Sequence, residues 1–458
     1  MNAVFIRRVN DHRSMRRTAA AILVLGTLAV SAVTPARAAG IDDVNSLGLD
    51  ASYSVNATFD WHARTADVRT RVTVRGSKPW TSSVLAFNLQ TLRIGHAHLG
   101  TTSVNGHDVS PTIDDQTVLV PLDPPLAPGA TATIEIDYTG QLSANPNPNG
   151  YDWGFAATST YLTGYRWIPW LSRTTPFNNS ADGDPSETST ASHVHVAITA
   201  DPTLVFATTG EQTARDGDTR VFEADNVRDF NFAASPTYRT QTRNVRGISV
   251  TAYYSALSGS TMLDVTARAI NDYTGKVGPY PYPALNIAEV GPWASVESPG
   301  LFWIADNVPG HLLAWTTAHE VAHQWFYATV GNDQTLEPFA DEALVDFMAR
   351  NLLDDFVPSQ CAPDYLDRTI YNIDGCYPWV VYVQGNLWLR SYRDAVGSSK
   401  FWNGVANYYA QYKFGIGGTR QLLDALDAAS GKTQVHTQFP RLYALPIPDL
   451  PFGVLPPL

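Results

Sequence analysis

The segment Thr316–Trp325 reads TTAHEVAHQW, with two histidines four positions apart and a glutamate after the first. On a helix, His319 and His323 project from one face, so their rings can converge on a single metal ion. Glu320 then lies about 100° round the helix, near enough to reach a metal-bound water without being a ligand. Val321, Ala322, Trp325 and Phe326 surround the motif with apolar side chains, as a helix buried under an active site requires. A buried helix with two hydrogen-bonded histidines would read the same way, so the remaining ligand decides between the two.

That ligand is expected from a second helix, because catalytic zinc keeps three protein ligands and one open position. Residues 337–350, EPFADEALVDFMAR, supply a candidate. Phe339, Ala340, Leu344, Phe347 and Met348 form a helical apolar stripe, and Glu342 falls inside it. A carboxylate on a core-facing stripe needs a partner, and a divalent cation is a natural one. Glutamate is also used sparingly: of nine in the chain, five lie between Glu289 and Glu342. Asp346, one turn after Glu342, could hydrogen-bond a ligating histidine or equally be a solvated helix carboxylate.

These residues resemble the gluzincin aminopeptidases of the membrane alanine aminopeptidase type. His-Glu-x-x-His is followed by eighteen residues and then Glu342. Upstream, Ala294-Ser295-Val296-Glu297-Ser298 sits where that family carries Gly-x-Met-Glu-Asn, with Ala294, Val296 and Ser298 departing from the pattern. Downstream, Tyr382-Val383-Gln384-Gly385 is similar to its Tyr-x-Lys-Gly element, with Gln384 in place of lysine. The resemblance implies one zinc ion on His319, His323 and Glu342, with Glu320 as general base and Tyr382 as donor to an oxyanion. It further implies that Glu297 pairs with the free α-ammonium of a peptide, so that only the first peptide bond reaches the metal. Many relatives add a Gln or Glu from the N-terminal domain to this amine site. Around Tyr161-Leu162-Thr163 this chain has no convincing equivalent.

The elements that must position these residues are read as an α+β chain. An N-terminal antiparallel β domain over 39–243 is followed by a thermolysin-like, mainly helical zinc catalytic domain over 244–440 and a Pro-rich tail over 441–458. In the first, Tyr53, Val55, Ala57 and Phe59 alternate with polar residues, the period of a half-buried strand. Similar runs follow at 70–75, 117–122, 131–138 and 193–198, separated by turn signals such as Asn105-Gly106. His193 and His195 share one strand face but lack a third ligand nearby, so they are read as surface residues. Residues 240–246 look like a polar linker. Helical spacing then appears at 262–273, a strand at 285–290, and closing helices at 388–392, 401–412 and 419–430. Cys361 and Cys376 are expected to form a disulfide that fixes where Tyr382 points.

Residues 1–38 read as a cleaved export signal: Arg7, Arg8, Arg16 and Arg17, an apolar run over 19–33, then Ala36-Arg37-Ala38. General secretion is preferred to the twin-arginine route. Without those residues the chain holds 25 basic and 42 acidic side chains, a net charge near −17. Such a charge disfavours nucleic acid and anionic membrane surfaces as partners. The expectation is a secreted or extracytoplasmic, minimal two-domain peptidase acting on peptide N-termini, with no membrane span. Two alternatives stay open: an endopeptidase with weak amine recognition, and a non-catalytic zinc-containing peptide-binding protein.

Overall fold

Alternation of side chains builds the first half of the chain. In the strand Thr65–Arg75, Ala66, Val68, Thr70, Val72 and Val74 face inward and every intervening residue is exposed. Its neighbour Asp50–Asp60 buries Tyr53, Val55, Ala57 and Phe59, the face expected from the sequence. A register slip of one residue in either strand would turn its whole apolar set to solvent, which is what fixes the pairing. The computed structural model describes residues 46–79, 81–147, 150–173, 188–368 and 375–431. The stretches read above as an export signal and a Pro-rich tail lie outside the described residues.

Eight strands form the largest sheet, in the order Glu211–Asp216, Thr219–Val227, Ala191–Thr199, Asp50–Asp60, Thr65–Arg75, Thr131–Gln141, His98–Val104 and His107–Asp108. The sheet is not wholly antiparallel as anticipated. Asp50–Asp60 and Ala191–Thr199 run parallel, and the chain between them contributes strands both to this sheet and to two four-stranded sheets. Aromatic rings fill the space between layers, with Phe59 edge-on to Trp167 and Phe232 and Tyr53 stacked on Trp170 at 4.2 Å. His193 and His195 lie at the surface, held by Asp225 and Glu223 on the adjacent strand.

The polar linker expected at 240–246 is instead an edge strand, Arg239–Val245, hairpinned to Ile248–Tyr254. Its polar composition reflects an exposed edge rather than a lack of structure. The domain boundary placed at 243/244 falls within this strand. These two strands open a mixed five-stranded sheet continuing through Ala284–Val290, Leu301–Ala305 and Val296–Ser298. The second half of the chain therefore carries a sheet as well as helices.

Seven α-helices occur among the described residues. A single turn, α1 (Thr91–Ile94), lies in the β region; the others are α2 (Gly259–Lys276), α3 (Leu313–Ala322), α4 (Glu342–Leu353), α5 (Gly385–Val396), α6 (Ser398–Tyr412) and α7 (Thr419–Ser430). Ser258 caps α2 by accepting from the Thr261 amide. Just upstream, the buried carboxylate of Glu289 accepts from the amides of Ser255, Ala256 and Leu257, anchoring the loop that enters the helix. α3 packs between α2 and α4, and a six-residue π-helix, Trp379–Gln384, runs directly into α5. No described helix is long and apolar enough to cross a membrane.

Candidate active site

α3 is short and almost wholly buried, so its polar side chains must find partners inside the protein. Trp315 reaches across to α4, donating its Nε1–H to Asp346 Oδ1 at 2.8 Å. His319 lies one turn further on, and His323 closes the helix as its C-terminal cap. The chain then turns back on itself: the Ala328 amide donates to the His323 carbonyl and the Thr329 hydroxyl to that of Gln324. On α4, Phe347, Met348 and Leu344 are fully buried and seat the helix, while Asp341 caps it through the Glu342 amide at 2.8 Å.

This packing brings the two histidines and Glu342 to one point. The Nε2 atoms of His319 and His323 are 3.1 Å apart, and Glu342 Oε2 lies 3.3 Å from one and 3.5 Å from the other. His323 Nδ1 faces the Phe326 carbonyl at 3.0 Å. That contact requires the hydrogen on Nδ1 and turns the Nε2 lone pair into the site. Glu342 Oε2 is buried and makes no hydrogen bond. Three acceptor atoms this close have no mutual attraction, but the spacing suits a small cation. Ligands about 2.1 Å from a tetrahedral zinc are about 3.4 Å from one another. Two imidazoles and a carboxylate are also a donor set that zinc takes, so these residues fit the ion.

The electrostatics agree with a site built for positive charge. Burial disfavours a proton on His323, yet Glu297, Glu342 and Glu320 together outweigh it and raise the imidazole well above its usual range. Burial likewise acts to raise Glu342, but the two adjacent histidines outweigh it and hold its carboxyl below the ordinary value. Glu320, only 4% exposed, is pushed well up by burial, and its Oε2 has no hydrogen-bond partner. Ligand atoms of Glu297, Glu320 and His323 all lie within 4.8 Å of one another.

Glu297 belongs to the hairpin Val296–Ser298 and Leu301–Ala305, turned by Pro299 and Gly300 (φ +66°). It is buried rather than an acidic loop residue. Gln324 locks this hairpin to α3, accepting from the Gly300 amide at 2.9 Å and donating to the Ser298 carbonyl at 2.8 Å. Tyr165 from the β region donates to the Glu297 carbonyl at 3.3 Å. Tyr161, at the position where many relatives contact the amine, instead donates to Glu289.

Tyr382 is carried on the π-helix with its ring stacked on His319, centroids 5.8 Å apart. Burial, with the Glu342 charge adding, keeps its hydroxyl protonated far beyond the usual range. Gln384, two residues further along, donates to Ser359 Oγ and the Cys361 and Ala362 carbonyls, tying Tyr382's helix to the segment closed by the Cys361–Cys376 disulfide.

Asp346 takes neither of its anticipated roles. It is fully buried, and its Oδ1 lies 3.9 Å from His319 Nδ1, beyond hydrogen-bond range. It accepts instead from Trp315, from Arg350 Nε at 2.9 Å and from Asn386 Nδ2. Gln324, Gln334, Asp341 and Asn386 were not anticipated from the sequence. Gln324 alone left a sign, as a polar residue in the apolar stretch directly after His323.

Comparisons with known proteins extend the geometry. No family model matches the chain. The Tricorn protease-interacting factor F2 of Thermoplasma volcanium is 24% identical over 206 residues, 37% of this chain and 26% of the relative. Aminopeptidase M1-D of Oryza sativa subsp. japonica is 23% identical over 210 residues, 38% of this chain and 24% of the relative. The match thus spans about a quarter of each of these curated relatives. Among solved structures, the M1 zinc metallopeptidase of Deinococcus radiodurans superposes with a TM-score of 0.68 at 19% identity, covering 90% of this chain and 98% of that one. A mutant of the same protein bound to a Tyr-Ser-Ala substrate superposes equally well. The resemblance read from the sequence is therefore found again, in sequence over part of the chain and in fold over most of it.

Proposed function

We propose that the protein is a zinc-dependent aminopeptidase, exported from the cell, that removes residues from the N-termini of peptides. The observation that carries this reading is the meeting of His319, His323 and Glu342 at 3.1–3.5 Å, with Glu320 and Glu297 on the same side. An aminopeptidase among the relatives and a zinc metallopeptidase among the similar folds support the class of chemistry. The similarity of α3, α4 and their sheet to thermolysin-like domains belongs to the same proposal. The arginines and small apolar residues of 1–38 support export.

In this reading a single zinc is held by His319, His323 and Glu342, where it supplies Lewis acidity to a scissile carbonyl and to water. Glu320 takes the proton of the attacking water and returns it to the leaving amine, a role suited to a carboxyl that burial raises well above its ordinary value. Tyr382 donates a hydrogen bond to the oxyanion from a hydroxyl that stays protonated at every working pH. Glu297 pairs with the substrate ammonium and so limits cleavage to the first peptide bond.

The test combines zinc analysis with hydrolysis of aminoacyl-arylamides and their N-acetylated counterparts. Stoichiometric zinc, activity lost to chelator and restored by zinc, and cleavage of the free-amine substrates alone are expected. Equal cleavage of acetylated substrates would leave an endopeptidase, and activity indifferent to chelation would end the zinc reading.

A further inference from the structure

Gln334 lies in the connection between α3 and α4, at one of the eighteen unspecified positions between His323 and Glu342, yet its side chain is 6% exposed and sits inside the site. Its Nε2 donates to Glu297 Oε1 at 2.8 Å and to Asp341 Oδ2 at 2.6 Å. A primary amide nitrogen has two hydrogens, and both are committed here. The other end of the amide, Oε1, is buried with no hydrogen-bond partner. Two carboxylates fix which end is nitrogen, since an amide oxygen turned toward them would face acceptors. The orphan oxygen is thus a property of the arrangement, and a buried acceptor left unpaired calls for a donor.

Asp341 is itself anchored, because its Oδ1 accepts from the amide of Glu342. The path Glu297–Gln334–Asp341–Glu342 therefore joins the hairpin expected to hold the substrate amine to the helix expected to hold the metal. The β region contributes Tyr165 to the Glu297 main chain and sends Tyr161 to Glu289, so neither places a side-chain acceptor beside the Glu297 carboxylate. An ammonium carries three hydrogens, and one carboxylate leaves it under-satisfied.

We propose that Gln334 is the second amine-binding residue of this enzyme: Oε1 accepts from the substrate α-ammonium beside Glu297, and the two N–H bonds hold the amide at a fixed distance from the metal ligands. This rests on the aminopeptidase reading above and supplies the second amine contact from the catalytic half of the chain. The ligand class is a primary α-amine, and the α-hydroxy analogue, which is uncharged, lacks the charge-assisted bond.

The experiment uses Gln334→Met, which keeps the volume but cannot hydrogen-bond the amine, together with Gln334→Ala. KM and kcat are measured on an alanyl-arylamide and its N-acetylated form, alongside zinc content and thermal melting. The zinc-loaded enzyme is also assayed with L-alaninamide and with lactamide as competitors of the arylamide, so that their binding is read apart from arylamide turnover. Loss of one charge-assisted bond is expected to raise KM by about 10-fold or more, with kcat and zinc content nearly unchanged. L-alaninamide binding should weaken by a similar factor and lactamide binding should not. Unchanged amine affinity in both variants, an equal loss for lactamide, or failure of both variants to fold would overturn the assignment of Gln334. A wild type that cleaves free and acetylated substrates alike would overturn the aminopeptidase reading itself, a distinguishable result.

Discussion

Glu320 shows how one side chain takes its properties from its neighbours. It sits on the same short helix as both histidines, yet the helical twist keeps it off their line and leaves Oε2 without a partner. Replacement by glutamine preserves size and removes the basic site. Under the proposed reaction, Glu320→Gln retains zinc and folds normally while kcat falls about 10²- to 10⁴-fold, the range for losing a general base. Melting temperature should not fall, because burial makes the carboxylate costly to ionise in the folded protein. Steady-state kinetics with zinc analysis would check this, and near-normal turnover would remove Glu320 from the mechanism. Tyr382 acts at the same scale but depends on more than itself.

The π-helix that carries Tyr382 is tied to the preceding segment by its own Gln384 and by the disulfide between Cys361 and Cys376, fifteen residues apart. Where the family-like pattern has lysine, the neutral amide of Gln384 turns its two N–H hydrogens toward a cluster of three acceptors, so the departure has a local structural reason. Replacing both cysteines with serine is expected to cost about 3 kcal/mol of stability through loosening of the unfolded chain. It should also lower kcat more than it changes KM or zinc content, since the ligands sit on α3 and α4. Chemical denaturation and kinetics on the double variant test this, and unaltered kcat would show that the π-helix holds Tyr382 without the bridge. Elements of this kind set the limit of what was legible. The meeting of His319 and His323 follows from helical spacing, and the strand faces from alternation. A π-helix has no such period, the edge strand at 239–245 reads as linker because its residues are polar, and Gln334 becomes visible only once the chain has brought Glu297 and Asp341 to either side of it.

At the scale of the molecule, the question is what keeps the β half registered against the helical half. Arg228 is fully buried and grips main-chain carbonyls from three parts of the chain: Thr188 at 2.9 Å, Ala328 and Thr329 at 3.3 and 3.4 Å, and Gly415 at 2.9 Å. A planar guanidinium with five donors can do this, whereas a lysine ammonium cannot span the same set. Ala328 is also the residue whose amide holds the His323 carbonyl, so the grip ends one hydrogen bond from the candidate metal site. Arg228→Met would remove this donor from all four carbonyls, of which those of Ala328, Thr329 and Gly415 keep the Tyr282 hydroxyl and the Phe414 and Gly331 amides, and each charge-assisted bond lost costs about 1.5–3 kcal/mol. The expected outcome is a stability loss of at least about 3 kcal/mol together with weaker zinc retention, and Arg228→Lys should recover only part of either. Losing zinc affinity with stability intact would place the effect at the metal site alone. Losing stability while zinc stays tightly bound would mean that the two halves are joined without reference to the site. The coupling of both losses is what the position of Arg228 requires, because the same carbonyl-rich turn closes α3 behind His323 and receives the β half of the chain.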